Sequence, residues 1–96
     1  MMKKNLYSED ELEELFKYVV KELQSYRQEA KKSQNDVGND LGISPANLSR
    51  IERGKAKTTS FIQILKIVNY YGLDLAVVMQ KAMRKYEVDR SFKKES

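Results

Sequence analysis

Cysteine and histidine are both absent from this chain of 96 residues. Their absence excludes disulfides, thiolate nucleophiles and the common zinc sites, and it leaves no imidazole for acid–base catalysis. Long apolar runs are absent too, because no stretch of the sequence approaches the roughly 18 residues needed to span a bilayer. The sequence therefore predicts a cytoplasmic protein that makes no membrane contact, is not an enzyme, has no catalytic or metal-binding residues and needs no cofactor.

The charge of the chain is unevenly placed. Residues 1–30 carry five basic and seven acidic side chains, residues 31–57 carry six and three, and residues 58–96 carry seven and four. Clustered lysine and arginine suit phosphate binding, although a basic run taken alone is more often a solvated face.

A chain of 96 residues forms only one small domain of marginal stability, so its length favours oligomerisation.

The first predicted element is an amphipathic helix from about Glu9 to Lys31. Ser8 and Glu11 form the pattern of a capping box at its start. Its apolar positions recur at helical spacing: Leu12, Leu15, Phe16, Val19, Leu23, Tyr26 and Ala30. Acidic residues crowd its first turns: Glu9, Asp10, Glu11, Glu13 and Glu14. The positive end of the helix macrodipole explains this cluster more simply than a metal site does.

The central stretch of the chain, residues 34–54, predicts two short helices joined by a tight turn. Its apolar positions at helical spacing are Val37, Leu41, Leu48 and Ile51. Gly42 ends the first helix because it can adopt the left-handed conformation, and Ile43 fills the angle between the helices. Ser44 caps the second helix, and Pro45 suits its first position. This succession is a helix-turn-helix.

The helix-turn-helix resembles the DNA-binding unit of phage-repressor-type (Xre-like) regulators. The matching residues are Gln34, Val37, Gly42, Ile43, Leu48, Ser49, Ile51, Glu52 and Gly54. The resemblance implies an all-α, compact domain of four to five helices, in which the second motif helix lies in the DNA major groove and the first crosses the backbone. Two residues depart from the family pattern: Gly38 stands where alanine is usual, and Lys32 where an apolar residue is usual. Neither departure removes an expected DNA contact.

This docking mode assigns the DNA contacts. Base contacts are expected from the start of the second motif helix: Ser44, Pro45, Ala46, Asn47 and Arg50. Arg50 alone among them can form a bidentate bond to guanine, whereas Pro45 and Ala46 offer only apolar contact, for instance to a thymine methyl. Phosphate contacts are expected from Gln34, Ser49, Arg53, Lys55 and Lys57. The resemblance also implies an ion pair between Arg27 and Glu52, in place of two separate surface charges.

Beyond the motif, the sequence predicts a polar loop and then a helix that Thr59 or Ser60 caps and Gly72 ends. The apolar residues of this helix are Phe61, Ile62, Leu65, Ile67, Val68 and Tyr71. Tyr70 and Tyr71 are interpreted as part of the core and its rim. A stacking platform for single-stranded nucleic acid is the less favoured interpretation, because no second aromatic and basic stretch accompanies them.

Residues 73–79 fit two templates. Alternation suits a strand with Leu73, Leu75, Val77 and Met79 on one face, whereas a helix capped by Asp74 aligns Leu75, Val78, Met79, Ala82, Met83 and Tyr86. In the HipB-like branch of antitoxins, which this arrangement resembles, a strand here pairs with its copy in a second chain. A lone strand would leave its edge unpaired, so the strand template implies a homodimer through those four alternating residues.

The predicted organisation is a flexible N-terminus (residues 1–7), a helix-turn-helix domain (8–79) and a basic C-terminal tail (80–96) that frays from Asp89. The leading hypothesis is a sequence-specific repressor that binds double-stranded DNA as a homodimer on an inverted repeat. The second hypothesis is an antitoxin, similar to HipB and HigA, that binds a toxin protein through residues 1–30 or 73–96 and represses its own operon. A helical interaction module without DNA binding conflicts with the intact motif.

Overall fold

The computed structural model describes residues 7–95, which form five α-helices. The helices are α1 (Glu9–Glu29), α2 (Gln34–Leu41), α3 (Pro45–Glu52), α4 (Phe61–Tyr70) and α5 (Leu75–Glu95), with a short 3-10 turn at Ala56–Thr58. No strand occurs within residues 7–95. The all-α fold predicted from the sequence is confirmed. Except for Tyr7, the N-terminal segment predicted to be flexible lies outside the described residues.

Serine side chains cap the first four helices, as each hydroxyl accepts a backbone N–H that has no partner inside the helix. The four caps are Ser8, Ser33, Ser44 and Ser60. Ser8 forms the predicted capping box with Glu11. The first helix ends at Glu29 rather than Lys31, because Lys31 has a left-handed backbone, with φ 58°, and turns the chain toward α2.

The core lies between α1 and the inner faces of the other helices. It contains Val19, Val20, Leu23, Val37, Ile43, Leu48, Ile51, Ile64, Ile67, Val68, Val78 and Ala82. Leu48 and Ile51, the inner residues of α3, are only 1% and 2% exposed. Apolar burial of this kind is the main favourable contribution to folding, so it fixes α3 on α1 by one face.

The segment that fitted two templates is helical from Leu75 onward. The Asp74 carboxylate accepts the Ala76 N–H at 2.9 Å, as the helix template predicts. Side-chain pairs spaced four residues apart on each helix join α1 to α5: Tyr26 with Lys81, Glu22 with Lys85 and Tyr18 with Asp89. Residue numbers fall along α1 as they rise along α5, so the two helices are antiparallel.

The residues predicted to form a basic C-terminal tail belong instead to α5. Tyr86 is only 5% exposed, and Arg90 Nη2 donates to the Glu11 carboxylate at 2.7 Å. The prediction was wrong because the polar residues of α5 that pair with α1 have the composition of a solvated tail. The helix therefore continues without a break through residue 79, where the sequence placed a boundary.

The residues predicted to form a dimer interface do not share one face. Leu73, Leu75 and Met79 pack partly buried against the core of their own chain, whereas Val77 is 42% exposed. Residues two apart on an α-helix are separated by about 200° around its axis. Val77 therefore points away from Leu75 and Met79, and the strand-like alternation has no structural counterpart here.

Candidate nucleic-acid interface

The residues predicted to contact bases lie on the outer face of α3. All of them are exposed: Ser44, Pro45, Ala46, Asn47 and Arg50. Two residues predicted to contact phosphate follow toward the end of the helix, the partly exposed Ser49 and the exposed Arg53. The opposite face of α3 is buried in the core. A helix held along one side and exposed along the other can enter a groove without disturbing the fold.

The close approach of the turn to α2 explains why glycine, rather than the usual alanine, stands at position 38. Gly42 adopts the left-handed conformation with φ 71°, and the Ile43 N–H then donates to the Gly38 carbonyl at 2.9 Å. A Cβ atom on Gly38 would lie 2.5 Å from the Ile43 carbonyl oxygen. The turn therefore approaches α2 so closely that alanine fits only if the backbone shifts.

A contact with Tyr70 accounts for the other departure from the family pattern, the lysine at position 32. Its Nζ lies 5.6 Å from the centre of the Tyr70 ring, and a hydrogen bond with Tyr70 raises the pKa of Lys32. The Tyr70 hydroxyl donates to the Asp40 carboxylate at 2.6 Å. Burial raises the pKa of the adjacent Tyr71 to about 12. Both tyrosines are thus engaged at the rim of the core, and Lys32 covers one of them.

Arg27 and Glu52 join α1 to the end of α3. Arg27 Nε donates to Glu52 Oε2 at 2.7 Å, and Arg27 Nη2 donates to Glu52 Oε1 at 3.0 Å. The Arg27 and Glu52 side chains are only 11% and 6% exposed, so water screens the pair weakly. Hydrogen bonding to Glu52 raises the pKa of Arg27. The remaining edge of the guanidinium donates to the Lys32 carbonyl at 2.8 Å.

Gln34 adds α2 to the same network. Its Nε2 donates to Glu52 Oε1 at 2.9 Å. An amide nitrogen carries two hydrogens, so the second remains for the phosphate contact predicted from the sequence. Gln34 therefore also holds α2 against α3. This second role was not predicted from the sequence, because a contact between residues 18 positions apart follows from the packing and leaves no local signal.

Arg50 is held by a neighbour on α3. Its Nη1 donates to Asn47 Oδ1 at 2.6 Å, and the Asn47 backbone N–H donates to Ser44 Oγ at 3.1 Å. The other guanidinium N–H groups of Arg50 remain to bind a base edge. Asn47 thus acts as an acceptor for Arg50, a role that was not predicted from the sequence although the i, i+3 spacing signals it.

The loop after α3 presents two lysines from an anchored backbone. Lys55 and Lys57 are exposed, and the Lys55 carbonyl accepts the Thr59 hydroxyl at 2.9 Å. Gly54 packs on α1 so closely that a Cβ atom there would lie 2.5 Å from Lys17 Cγ. The start of the loop is therefore fixed, while the side chains of Lys55 and Lys57 extend into solvent. A contact with DNA phosphates requires such exposed side chains.

The described helices were also compared with the requirements of a metal site and of a membrane span. Within residues 7–95, no group of three or more His, Cys, Asp or Glu side chains is arranged to hold a metal ion. None of the helices described has by itself the length and apolar composition to cross a membrane, although α4 and α5 together, bent by 106°, meet those two criteria.

Comparison with known protein families identifies the class of this domain. Residues 20–79 match the family described as a helix-turn-helix domain. The match covers more than half of the chain and includes α2 and α3 entirely. The protein therefore belongs to the helix-turn-helix family of DNA-binding domains. A search of curated proteins found no match.

Proposed function

We propose that this protein is an Xre-like transcriptional repressor that recognises a specific double-stranded DNA sequence and blocks transcription by occupying it. One observation carries the proposal. The recognition helix α3 is buried along one face and fixed at its end by Glu52, while its opposite face presents Arg50 and its neighbours to solvent. An anchored helix with an exposed arginine is suited to direct readout in the major groove.

Base recognition is assigned to Arg50. Because Asn47 holds one guanidinium nitrogen, the side chain loses less conformational entropy when it binds guanine O6 and N7. The Pro45 ring and the Ala46 methyl offer apolar contact to a thymine methyl. The Ser44 hydroxyl accepts a backbone N–H, and its own hydrogen remains available to a base or phosphate.

Backbone contacts are assigned to the residues on either side of this face. Lys55 and Lys57 supply positive charge next to the end of α3, and Arg53 precedes them. Gln34 and Ser49 supply neutral hydrogen bonds to phosphate oxygens. Such contacts position the protein without reading sequence, and their strength falls as salt concentration rises.

The regulator is proposed to act as a homodimer on an inverted repeat. A recognition helix of eight residues reads few base pairs, so a two-fold pair of helices lengthens the recognised site. The domain measures 44 × 25 × 23 Å. Its two shorter dimensions are below the pitch of DNA, about 34 Å, so two copies fit side by side on one face of the duplex when their long axes lie across it.

An antitoxin of a toxin–antitoxin pair is the second candidate. The two segments expected to bind a toxin lie side by side, since α1 packs along α5. Their outer surface includes the exposed apolar residues Val77, Val88 and Phe92. Co-purification of a second polypeptide with the protein, or a toxin-like reading frame beside its gene, would favour this candidate over a free-standing repressor.

Selection from random duplex DNA tests the proposal. The purified protein should enrich an inverted repeat whose half-sites are separated by about one helical turn, 10–10.5 base pairs, or a multiple of it. Binding to the enriched site should exceed binding to scrambled DNA by at least about 1,000-fold at the same salt concentration. If no sequence is enriched, the proposed function is wrong.

A further inference from the structure

The structure exposes an apolar surface where the start of α1 meets the start of α4. We call it the α1–α4 surface; its centre consists of Leu12, Phe16 and Phe61, which line a shared groove, and Ile62 follows Phe61 on α4. Leu12, Phe61 and Ile62 are 51%, 66% and 59% exposed. A cavity of about 200 Å³ opens beside Leu12 and Phe61 and is bounded by Leu75 and Met79. Contiguous exposed apolar side chains of this size commonly mark an interaction site.

The two edges of the α1–α4 surface carry opposite charge. Glu9 and Glu13 lie on the α1 edge beside Phe61, and Lys66 lies one turn beyond Ile62 on α4. All three charged residues are exposed, and none takes part in an ion pair within residues 7–95. A negative edge, an apolar centre and a positive edge are complementary to the same surface after a two-fold rotation.

The α1–α4 surface also lies close to the proposed DNA backbone contacts. Phe61 follows Lys57 by four residues, a distance of at most about 14 Å along an extended chain. A copy of the protein placed on this surface therefore brings the two lysine loops near one another across the two-fold axis.

We propose that a second copy of this chain docks on the α1–α4 surface by a two-fold axis. The inference rests on the proposed homodimer and assigns its interface. Phe61 of each copy packs near Leu12 of the other, and Lys66 of each copy faces the acidic edge of the other. Leu75 and Met79, predicted from the sequence to be interface residues, bound the adjoining cavity, whereas Val77 lies outside it.

The outer face of α5 is the other apolar candidate for pairing, and its charge disfavours it. Val88 and Phe92 are exposed there at 48% and 69%. The groove next to Val88 is lined by Arg84 and Lys85 together with Glu22 and Asp89. Two of these charges already have partners within the chain, as Lys85 pairs with Glu22 and Asp89 accepts from Tyr18, so a second copy docked here would bury charges that it does not pair with.

Two matched substitutions test the assignment, because Phe61 and Phe92 are the same residue type at 66% and 69% exposure. Phe61→Glu should weaken dimerisation by about 100-fold or more, since each dimer loses two central aromatic side chains. Phe92→Glu should leave dimerisation as in the wild type. Sedimentation of the free protein across a micromolar concentration series measures both effects, and circular dichroism checks that each variant is folded.

A charge exchange supplies a second measurement that does not alter the apolar centre. Lys66→Glu should weaken the dimer, and adding Glu13→Lys should restore part of the loss. If Phe61→Glu does not fold, Ile62→Glu replaces it in the same comparison. A folded Phe61→Glu or Ile62→Glu protein that still dimerises as the wild type does, or a dimer lost in Phe92→Glu, overturns the inference.

The proposed function and this inference fail in different ways. If the wild-type protein enriches no DNA sequence, the repressor proposal is overturned. The sedimentation comparison uses free protein, so it still tests the interface. A wild-type protein that is monomeric both free and on DNA overturns the interface and the homodimer together. DNA selection that yields single half-sites would then leave the readout by α3 intact.

Discussion

Removing one partner of the Arg27–Glu52 pair should destabilise the protein more than the loss of one surface ion pair would. In Arg27→Met, the Glu52 carboxylate, whose side chain is 6% exposed, keeps a single described donor, the Gln34 amide at 2.9 Å. In Glu52→Gln, the Arg27 guanidinium keeps the Lys32 carbonyl at 2.8 Å and a neutral partner. Removing one member of a buried pair costs about 3–5 kcal/mol, because the other charge remains buried without compensation.

The expected size of the effect follows from the remaining partners. Glu52→Gln should fall at the low end of that range, since its amide oxygen still accepts a hydrogen bond, and Arg27→Met should be more costly. For a domain of this length, 1 kcal/mol lowers the melting temperature by about 4–8 °C, so a loss of 3 kcal/mol lowers it by about 12–24 °C. The double variant should lose less than the sum of the single variants.

Chemical denaturation followed by circular dichroism measures the four proteins of this cycle. The pair of Glu14 and Lys17 supplies a control. Lys17 Nζ lies 3.2 Å from Glu14 Oε2, but the Glu14 and Lys17 side chains are 51% and 54% exposed. Glu14→Gln and Lys17→Met should each cost no more than about 1 kcal/mol. Single-variant losses from the buried pair that add within about 0.5 kcal/mol in the double variant would refute the coupling.

Two further predictions concern the turn and the α1–α5 contact. Gly38→Ala should lower the free energy of unfolding by about 1–3 kcal/mol despite the better helix propensity of alanine, because its Cβ meets the Ile43 carbonyl; thermal denaturation measures this, and a stabilised variant would contradict it. The hydrogen bond to Asp89 raises the pKa of Tyr18 to about 12. Because the neutral phenol is favoured in the folded protein, this stabilisation is present below pH 10 and lost between about pH 10 and 12. Wild-type protein should therefore lose more stability over that interval than Tyr18→Phe, and equal losses would argue against the bond.

The parts of the fold that follow local rules were predictable from the sequence. The Ser8 capping box, the left-handed Gly42 and the Ser44 cap each depend on a few neighbouring residues. Helical spacing likewise identified Leu48 and Ile51, which the structure buries. The outer face of α3 then follows geometrically, because the exposed positions are those that the core does not use.

The parts that depend on packing between distant elements were not predictable. Nothing near Lys85 in the sequence shows that it pairs with Glu22, so the end of the chain was predicted to be a tail. The partnership of Gln34 with Glu52 was missed for the same reason. Residues 73–79 were ambiguous because apolar residues fill positions that satisfy both periodicities, and burial of Val78 in the core decides for the helix.

In the proposed function, Arg50 recognises the DNA sequence, whereas Lys55 and Lys57 bind phosphates of the DNA backbone. Binding of the wild type, Arg50→Ala and Lys55→Ala to the selected operator and to its single-base variants, at several salt concentrations, tests it most directly. Arg50→Ala should lose about 1–3 kcal/mol on the operator and relax preference at one base pair of each half-site. Lys55→Ala should weaken binding to all sequences alike and reduce the salt slope by about one unit for each phosphate that is no longer neutralised. Full wild-type preference in Arg50→Ala, together with altered preference in Lys55→Ala, would contradict the account.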